Sequence, residues 1–451
     1  MNKELYYSFQ ILKSVYFNNA YSSIELNKLI NQKQNEKINF ALITKIVYGV
    51  LEKDIYLEYV VKNFVSKLPD KNILLLLKMA TYTNKFTNGI PNYAVINECV
   101  NLSKKENKNI SGFVNATLKN IFNKSVIMPN KESNFIDYLS ITYSYPKWII
   151  IELLKHKSKQ FVEDYLKQNL TTLTHIRIKN TNFNQSSGFT TEYEITNEYK
   201  QLITQFISDL NKFDIKFEKS PLQFCLYVDY NKLLKHNEFK NRYVVQGLTS
   251  IVASLNMDVQ NVKNVLDCTG APGGKSAFMA EVNNKANIIC CDIHKHRVDL
   301  IKKFMDANNI KNVKPFMQDA TKFNEMFLNK FDRILCDVPC SGIGVVNKKP
   351  DILLNKTLSD VKTLSGVQFN ILNNNAKYLK KQGVLIYSTC SIMIDENERV
   401  VEKFLKANPN FICEQVNTFN INVNNQENMI TFYPNLSNTE GFFITKLKRI
   451  N

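Results

Sequence analysis

Val265-Leu266-Asp267-Cys268-Thr269-Gly270-Ala271-Pro272-Gly273-Gly274-Lys275 is the stretch on which the fold of this chain turns. A short apolar run ends in an aspartate, passes through a glycine-rich turn and enters a helical pattern at 276–282. Working outward, strand-like runs fall at 262–267, 286–292, 313–318, 331–337 and 383–388. Helical patterns at 297–308 and 357–378 stand between them. Alternation of this kind predicts a parallel, doubly wound α/β sheet over 241–451. Two later runs, 411–419 and 441–447, predict an antiparallel hairpin at its edge.

Upstream the pattern changes. Residues 1–130 carry apolar positions at helical spacing in 6–16, 40–51, 55–68 and 73–81, and predict an all-α bundle. This segment holds 17 lysines against 9 acidic residues, which gives the bundle a basic face. Residues 131–240 mix helical stretches at 149–154 and 199–210 with strand-like runs at 173–178 and 222–228, a small α+β module.

The whole chain has 451 residues and a formal net charge of +17. That length suits two or three domains, and that charge in a cytoplasmic protein suits a polyanionic partner, nucleic acid first. Over-use of lysine is a plainer source of the same charge, since no arginine precedes Arg177. No apolar run is long enough for a membrane helix, and Met1-Asn2-Lys3-Glu4-Leu5 has no signal pattern, so a cytoplasmic protein with no membrane partner is expected. The nine cysteines are odd in number and include no Cys-x-x-Cys pair, so free thiols and no metal site are expected.

Ligands of a doubly wound sheet bind at the carboxyl ends of its strands. The glycines of the first turn let a ligand approach the backbone, and the helix start behind them suits a carboxylate such as the methionine end of S-adenosylmethionine. Asp292, seventeen residues beyond Lys275, ends the second strand at a spacing suited to ribose hydroxyls. Asp319 ends the third and is a candidate for the adenine edge. An aspartate at a strand end also serves as an ordinary helix cap, but three at consecutive ends argue for a site. The fourth strand runs into Asp337-Val338-Pro339-Cys340-Ser341-Gly342, and the fifth into Ser388-Thr389-Cys390-Ser391. Two cysteines at neighbouring strand ends suit methylation of cytosine C5. That carbon becomes nucleophilic when a thiolate adds at C6 and an acid near N3 stabilises the adduct.

In these residues the chain resembles the Sun-type RNA cytosine-5 methyltransferases, in the branch that acts on small-subunit ribosomal RNA. Glu396-Asn397-Glu398, the 246–250 stretch and Gly441-Phe442-Phe443 fit as well. Val47-Tyr48-Gly49 and Gly112-Phe113-Val114-Asn115-Ala116 resemble the NusB-type RNA-binding bundle of that branch. The resemblance implies a NusB-like domain (1–130), a small α+β linker module that also binds RNA (131–240) and a Rossmann-like methyltransferase domain (241–451). It implies Cys390 as nucleophile, Cys340 in resolving the adduct, and Asp337 against both cytosine and cofactor. S-adenosylmethionine falls to Thr269, Gly270, Ala271, Pro272, Gly273, Gly274, Lys275, Asp292 and Asp319, and Lys348-Lys349 stands where the family carries basic residues. The implied substrate is 16S ribosomal RNA free of most ribosomal proteins, and the implied state a monomer. The chain departs from the family at Thr269, usually cysteine, at Gly270, usually alanine, and at Gly247, commonly acidic. Transfer RNA is an alternative substrate, and a non-catalytic RNA-binding assembly factor is the alternative of another class. DNA cytosine-5 methyltransferases use the cysteine of a Pro-Cys pair, which here is Cys340.

Overall fold

The computed structural model describes residues 2–167, 173–180, 189, 194–426 and 428–451. Parts of the 131–240 module, at 168–172, 181–188 and 190–193, therefore lie outside the described residues. Two compact units form: Met1–Lys167 with Val346–Leu358, and Gln168–Val345 with Ser359–Asn451.

The first unit is helical. Side-chain caps start its helices where the sequence offers them. Asn2 accepts from the Leu5 amide ahead of Lys3–Asn18, Asn39 from Leu42 ahead of Phe40–Glu52, and Asp70 from Asn72 and Ile73 ahead of Lys71–Phe86. The apolar stripe read over 55–68 overruns its helix, which ends at Lys62; the Asn63 side chain turns back to the Tyr59 carbonyl there. Gly49 is required by packing, because a Cβ would lie 1.9 Å from the Tyr82 ring. Residues Val346–Leu358, far along the sequence, belong to this unit: Leu354 packs on its core and the Ser22 hydroxyl donates to Asp351 at 3.0 Å in a buried contact.

The second unit holds two sheets. The smaller consists of β1 (Thr174–Ile178), β2 (Phe217–Lys219), β3 (Cys225–Val228) and β4 (Tyr243–Val245), all antiparallel in the order β2-β3-β1-β4. The larger consists of β5 (Asn264–Asp267), β6 (Asn287–Asp292), β7 (Val313–Met317), β8 (Phe331–Asp337), β9 (Leu379–Thr389), β10 (Phe411–Glu414), β11 (Asn424–Gln426), β12 (Met429–Phe432) and β13 (Phe442–Arg449). Its order is β11-β12-β13-β9-β8-β5-β6-β7, with β10 also on β13. Strands β5 to β9 run parallel. The chain leaves β5 toward β6 and β7 on one side and returns to β8 and β9 on the other, so the switch point lies between β5 and β8.

Alternation along the strands separates two cores. Val265, Leu335 and Ile386 face one; Leu266, Ile334, Cys336 and Tyr387 face the other. The first continues without a break into the small sheet through Ile176, Phe224 and Leu226. Packing thus groups the chain differently from a division at 130 and 240. The pairing of 411–419 with 441–447 is antiparallel, as β10 on β13, but β13 is no edge strand: it sits between β9 and β12. Among the described residues no helix is long and apolar enough to cross a membrane.

A buried ion pair ties the small sheet to the helix Gly274–Val282. Arg177, wholly buried, meets Glu281 through two hydrogen bonds of 2.6 and 3.0 Å, lies over the Phe278 ring and donates to Gln246. Arg177→Met strands a buried carboxylate and will destabilise the protein by about 3–5 kcal/mol. The double variant with Glu281→Leu will recover most of that loss in denaturant unfolding; equal losses in the two would show that the loss comes from the missing Arg177 side chain and not from the stranded charge.

Candidate active site

The glycine-rich turn leaves β5 at the switch point and is fastened on every side. The Gly270 amide donates to the Cys291 carbonyl at 2.8 Å, and the Thr269 hydroxyl to the Asp337 carbonyl at 2.9 Å. Arg297 bridges the Ala271 carbonyl (3.3 Å) and Asp292 (3.3 Å). Gly273 has φ +110° and precedes the helix Gly274–Val282 without a side-chain cap. That left-handed conformation favours glycine. Gln246 donates to the Gly274 carbonyl at 3.3 Å, which links the 246–250 stretch to the helix start. The two unusual loop residues have physical roles here. Thr269 binds β8, and a Cβ at Gly270 would lie 2.4 Å from the Cys290 sulfur. Cys268 points the opposite way, into the core, where its sulfur lies 3.4 Å from Cys336. At Gly247 a Cβ would lie 2.7 Å from a Glu440 carboxylate oxygen, so a carboxylate from a distant element fills the space beside that glycine.

Asp292 is buried and accepts from the His294 amide. Asp319 is half-buried and accepts from the amide and hydroxyl of Thr321, which hold its carboxyl below its ordinary value. S-adenosylmethionine fits these residues. The helix start is uncapped, a Cβ on Gly274 would meet only open space, and Asp267 Oδ1 is buried with no hydrogen-bond partner.

Asp267, the first of the three strand-end aspartates, was given no role of its own by the sequence, and the structure buries it completely beneath the loop. Burial raises its carboxyl to about 6, against the opposing pull of Ser276 and Lys275. A carboxyl raised on folding favours the folded state below its unfolded value near 4, and that contribution is lost as pH rises through 6. The shift is worth about 3 kcal/mol. Asp267→Asn will therefore gain about that much on the parent protein between pH 4 and 7 in denaturant unfolding. A difference that stays flat across this range would show a carboxyl that titrates normally.

At the end of β8, Asp337 uses both carboxylate oxygens: one meets Lys275 Nζ at 2.6 Å, the other accepts from Ser388 at 2.8 Å. Burial pulls the Lys275 ammonium down, but Asp337, then Asp267 and Cys390, outweigh it and the net shift is upward. Cys340 and Cys390, both half-buried, face each other with sulfurs 3.1 Å apart. The Cys390 sulfur, then burial, hold the Cys340 thiol well above its ordinary range, so Cys340 keeps its proton, and either sulfur can be the donor across the contact. The other thiols with a resolved shift, such as Cys290 and Cys336, are buried and raised chiefly by burial. The Cys390 carbonyl accepts from Gly344, whose own carbonyl accepts from Gly441. A Cβ on Gly344 would lie 2.1 Å from the Gly441 carbonyl, so three separated sequence stretches meet at a point that admits only glycine.

A doubly wound sheet with this loop at its switch point suits an S-adenosylmethionine-dependent methyltransferase. The profile described as "16S rRNA methyltransferase RsmB/F" matches residues 254–448, and that of the NusB family matches residues 2–123. A Bacillus subtilis protein named probable ribosomal RNA small subunit methyltransferase B is 32% identical over 96% of this chain and 95% of its own length. The 25S rRNA (cytosine-C(5))-methyltransferase nop2 of Schizosaccharomyces pombe is 32% identical over 46% of this chain and 37% of its own. Among solved structures, "Crystal Structure of PH0851" covers 98% of each chain at 22% identity, with a TM-score of 0.78, and shares the fold. The chain belongs to the RsmB/F family of rRNA methyltransferases, with a NusB-family domain ahead of the catalytic one. It is an S-adenosylmethionine-dependent RNA cytosine methyltransferase.

Proposed function

We propose that this enzyme methylates C5 of a cytidine in 16S ribosomal RNA through a covalent bond between Cys390 and C6 of the base. The observation that carries this reading is the cysteine pair, 3.1 Å apart, in the same loop cluster as the Asp337–Lys275 ion pair. Cys390 Sγ, as thiolate, forms the bond to C6, and the C5=C6 electron pair moves toward the ring carbonyl and N3. Asp337 stands against the base there, and the Lys275 ammonium keeps a proton within its reach. C5 is then the nucleophilic carbon. S-adenosylmethionine, held by Thr269, Gly270, Ala271, Pro272, Gly273, Gly274, Lys275, Asp292 and Asp319, supplies an electrophilic methyl group on a sulfonium. Loss of the C5 proton to a base and return of the C6–S electron pair to Cys390 restore the aromatic ring. Cys340, beside that sulfur, assists this release.

Residues 1–130 and 131–240 take the RNA-binding roles, 241–451 carries the chemistry, and the enzyme works as a cytoplasmic monomer on RNA largely free of ribosomal proteins. The name of the Bacillus relative supports the small subunit as substrate. Incubation with labelled S-adenosylmethionine and deproteinised 16S ribosomal RNA will place label in 5-methylcytidine, with transfer RNA as the parallel substrate. Label in transfer RNA alone would overturn the substrate and keep the chemistry. Label in another nucleoside would overturn both.

A further inference from the structure

Between the two cysteine-bearing turns lies a carboxylate that the reaction does not call for. Glu396 is wholly buried. One of its oxygens accepts from the Ser341 amide at 2.7 Å and from Gln368 Nε2 at 3.0 Å. The other accepts from the hydroxyls of Ser341 and Ser391, each at 2.5 Å. Ser341 follows Cys340 and Ser391 follows Cys390, so one side chain binds the residue next to each thiol. The neighbouring elements complete the frame. Gln368 also donates to the Pro339 carbonyl at 3.0 Å, Tyr387 donates to the Glu396 carbonyl at 2.5 Å, and Asn397 joins Thr389 to the Ser391 carbonyl.

All four of these donors to the carboxylate are neutral. Burying a negative charge among neutral donors is costly, and a core that needed only packing would be filled better by an apolar side chain. What a carboxylate offers is four acceptor positions and no donor. That matches two turns which each present N–H or O–H groups to one point. A glutamine in its place presents an NH₂ where an acceptor is needed, and must release one of the turns.

We propose that Glu396 is a positioning residue that clamps the Cys340 turn to the Cys390 turn, so that the Cys340 thiol stays on the nucleophile's sulfur until the RNA adduct resolves. The inference rests on the roles proposed for the two cysteines. Glu396 also acts on Cys340 electrostatically, as the third influence after Cys390 and burial that keeps this thiol protonated. Its removal therefore alters both the placement and the protonation of Cys340, while the cofactor loop, fastened by other contacts, keeps its form.

The test uses full-length protein and single-turnover kinetics on the RNA substrate, with formation and decay of the protein–RNA adduct followed on denaturing gels. In Glu396→Gln, the adduct will persist at least about tenfold longer than in the parent enzyme. Affinity for S-adenosylmethionine will change by less than about threefold, and the pH dependence of release will move toward lower pH. Ser341→Ala and Ser391→Ala each remove one donor, leave the carboxylate otherwise satisfied, and will lengthen release by a smaller factor. They decide the matter if the glutamine variant does not fold. Release unchanged in both serine variants would overturn the clamp. So would a Glu396→Gln enzyme that folds and loses adduct formation, release and cofactor affinity in equal measure, since that is the mark of a merely structural residue. Cys340→Ser is the control on the underlying roles. If it accumulates no adduct, the assignment of the cysteines fails; if it accumulates adduct while Glu396→Gln turns over as the parent does, the clamp alone fails.

Discussion

Cys390→Ser will abolish methyl transfer, by about four orders of magnitude or more, and will form no covalent complex with RNA. Cys340→Ser will instead accumulate protein bound to RNA. The first effect is large because a serine hydroxyl is scarcely ionised near neutral pH, and losing a nucleophile removes an interaction made only along the reaction path. The second follows from the geometry of the pair. The Cys340 thiol is held protonated, and its sulfur lies 3.1 Å from that of Cys390. A base bonded to Cys390 has the Cys340 thiol beside the C6–S bond that must break. Denaturing gels with labelled RNA separate the two variants in one experiment. If Cys390→Ser stayed active and Cys340→Ser were inert without adduct, the roles would be reversed, as in enzymes that use the cysteine of a Pro-Cys pair.

The strands that carry this site were readable because each is a short apolar run closed by a polar turn. β8 matches its expected span of 331–337. β9 was read from Gly383 but begins at Leu379. Its early part, Lys380-Lys381-Gln382, is polar, and the pairing with β8 is shifted there, with Gln382 at φ +61°. A bulge of this kind breaks the period-two pattern on which a strand is recognised. The antiparallel pair expected at the sheet edge, 411–419 with 441–447, has β13 inside the strand order, because pattern gives a strand's character and not its neighbours. The Glu396 clamp was legible only as part of a motif, since its partners Ser341 and Gln368 lie 55 and 28 positions away. The segment Val346–Leu358 follows directly on the Cys340 loop in sequence, yet it packs with the helical unit, and nothing in its composition announces that. Asp267 ends β5 within the motif, but its burial with an unpartnered oxygen is a property of the packed sheet.

Asp337→Asn will lower the rate of adduct formation by about 10³-fold, within the range that a positioned acid or base contributes. The two contacts of Asp337 explain why the loss is chemical and not structural. Asparagine still accepts from Ser388, which keeps the side chain in place. Its amide cannot neutralise Lys275, whose ammonium is favoured chiefly by Asp337. The variant therefore keeps its shape but holds a cation without its partner and no longer passes a proton toward the base. Adding Lys275→Met removes that cation and separates the two consequences. Stability lost in the single variant will return, because the stranded charge is gone. The rate will not return, because no acid faces N3. Thermal unfolding and single-turnover kinetics on the same two proteins measure both quantities. A double variant that regained rate along with stability would mean that Asp337 serves only to neutralise Lys275, and that the proton reaches the cytosine by another path.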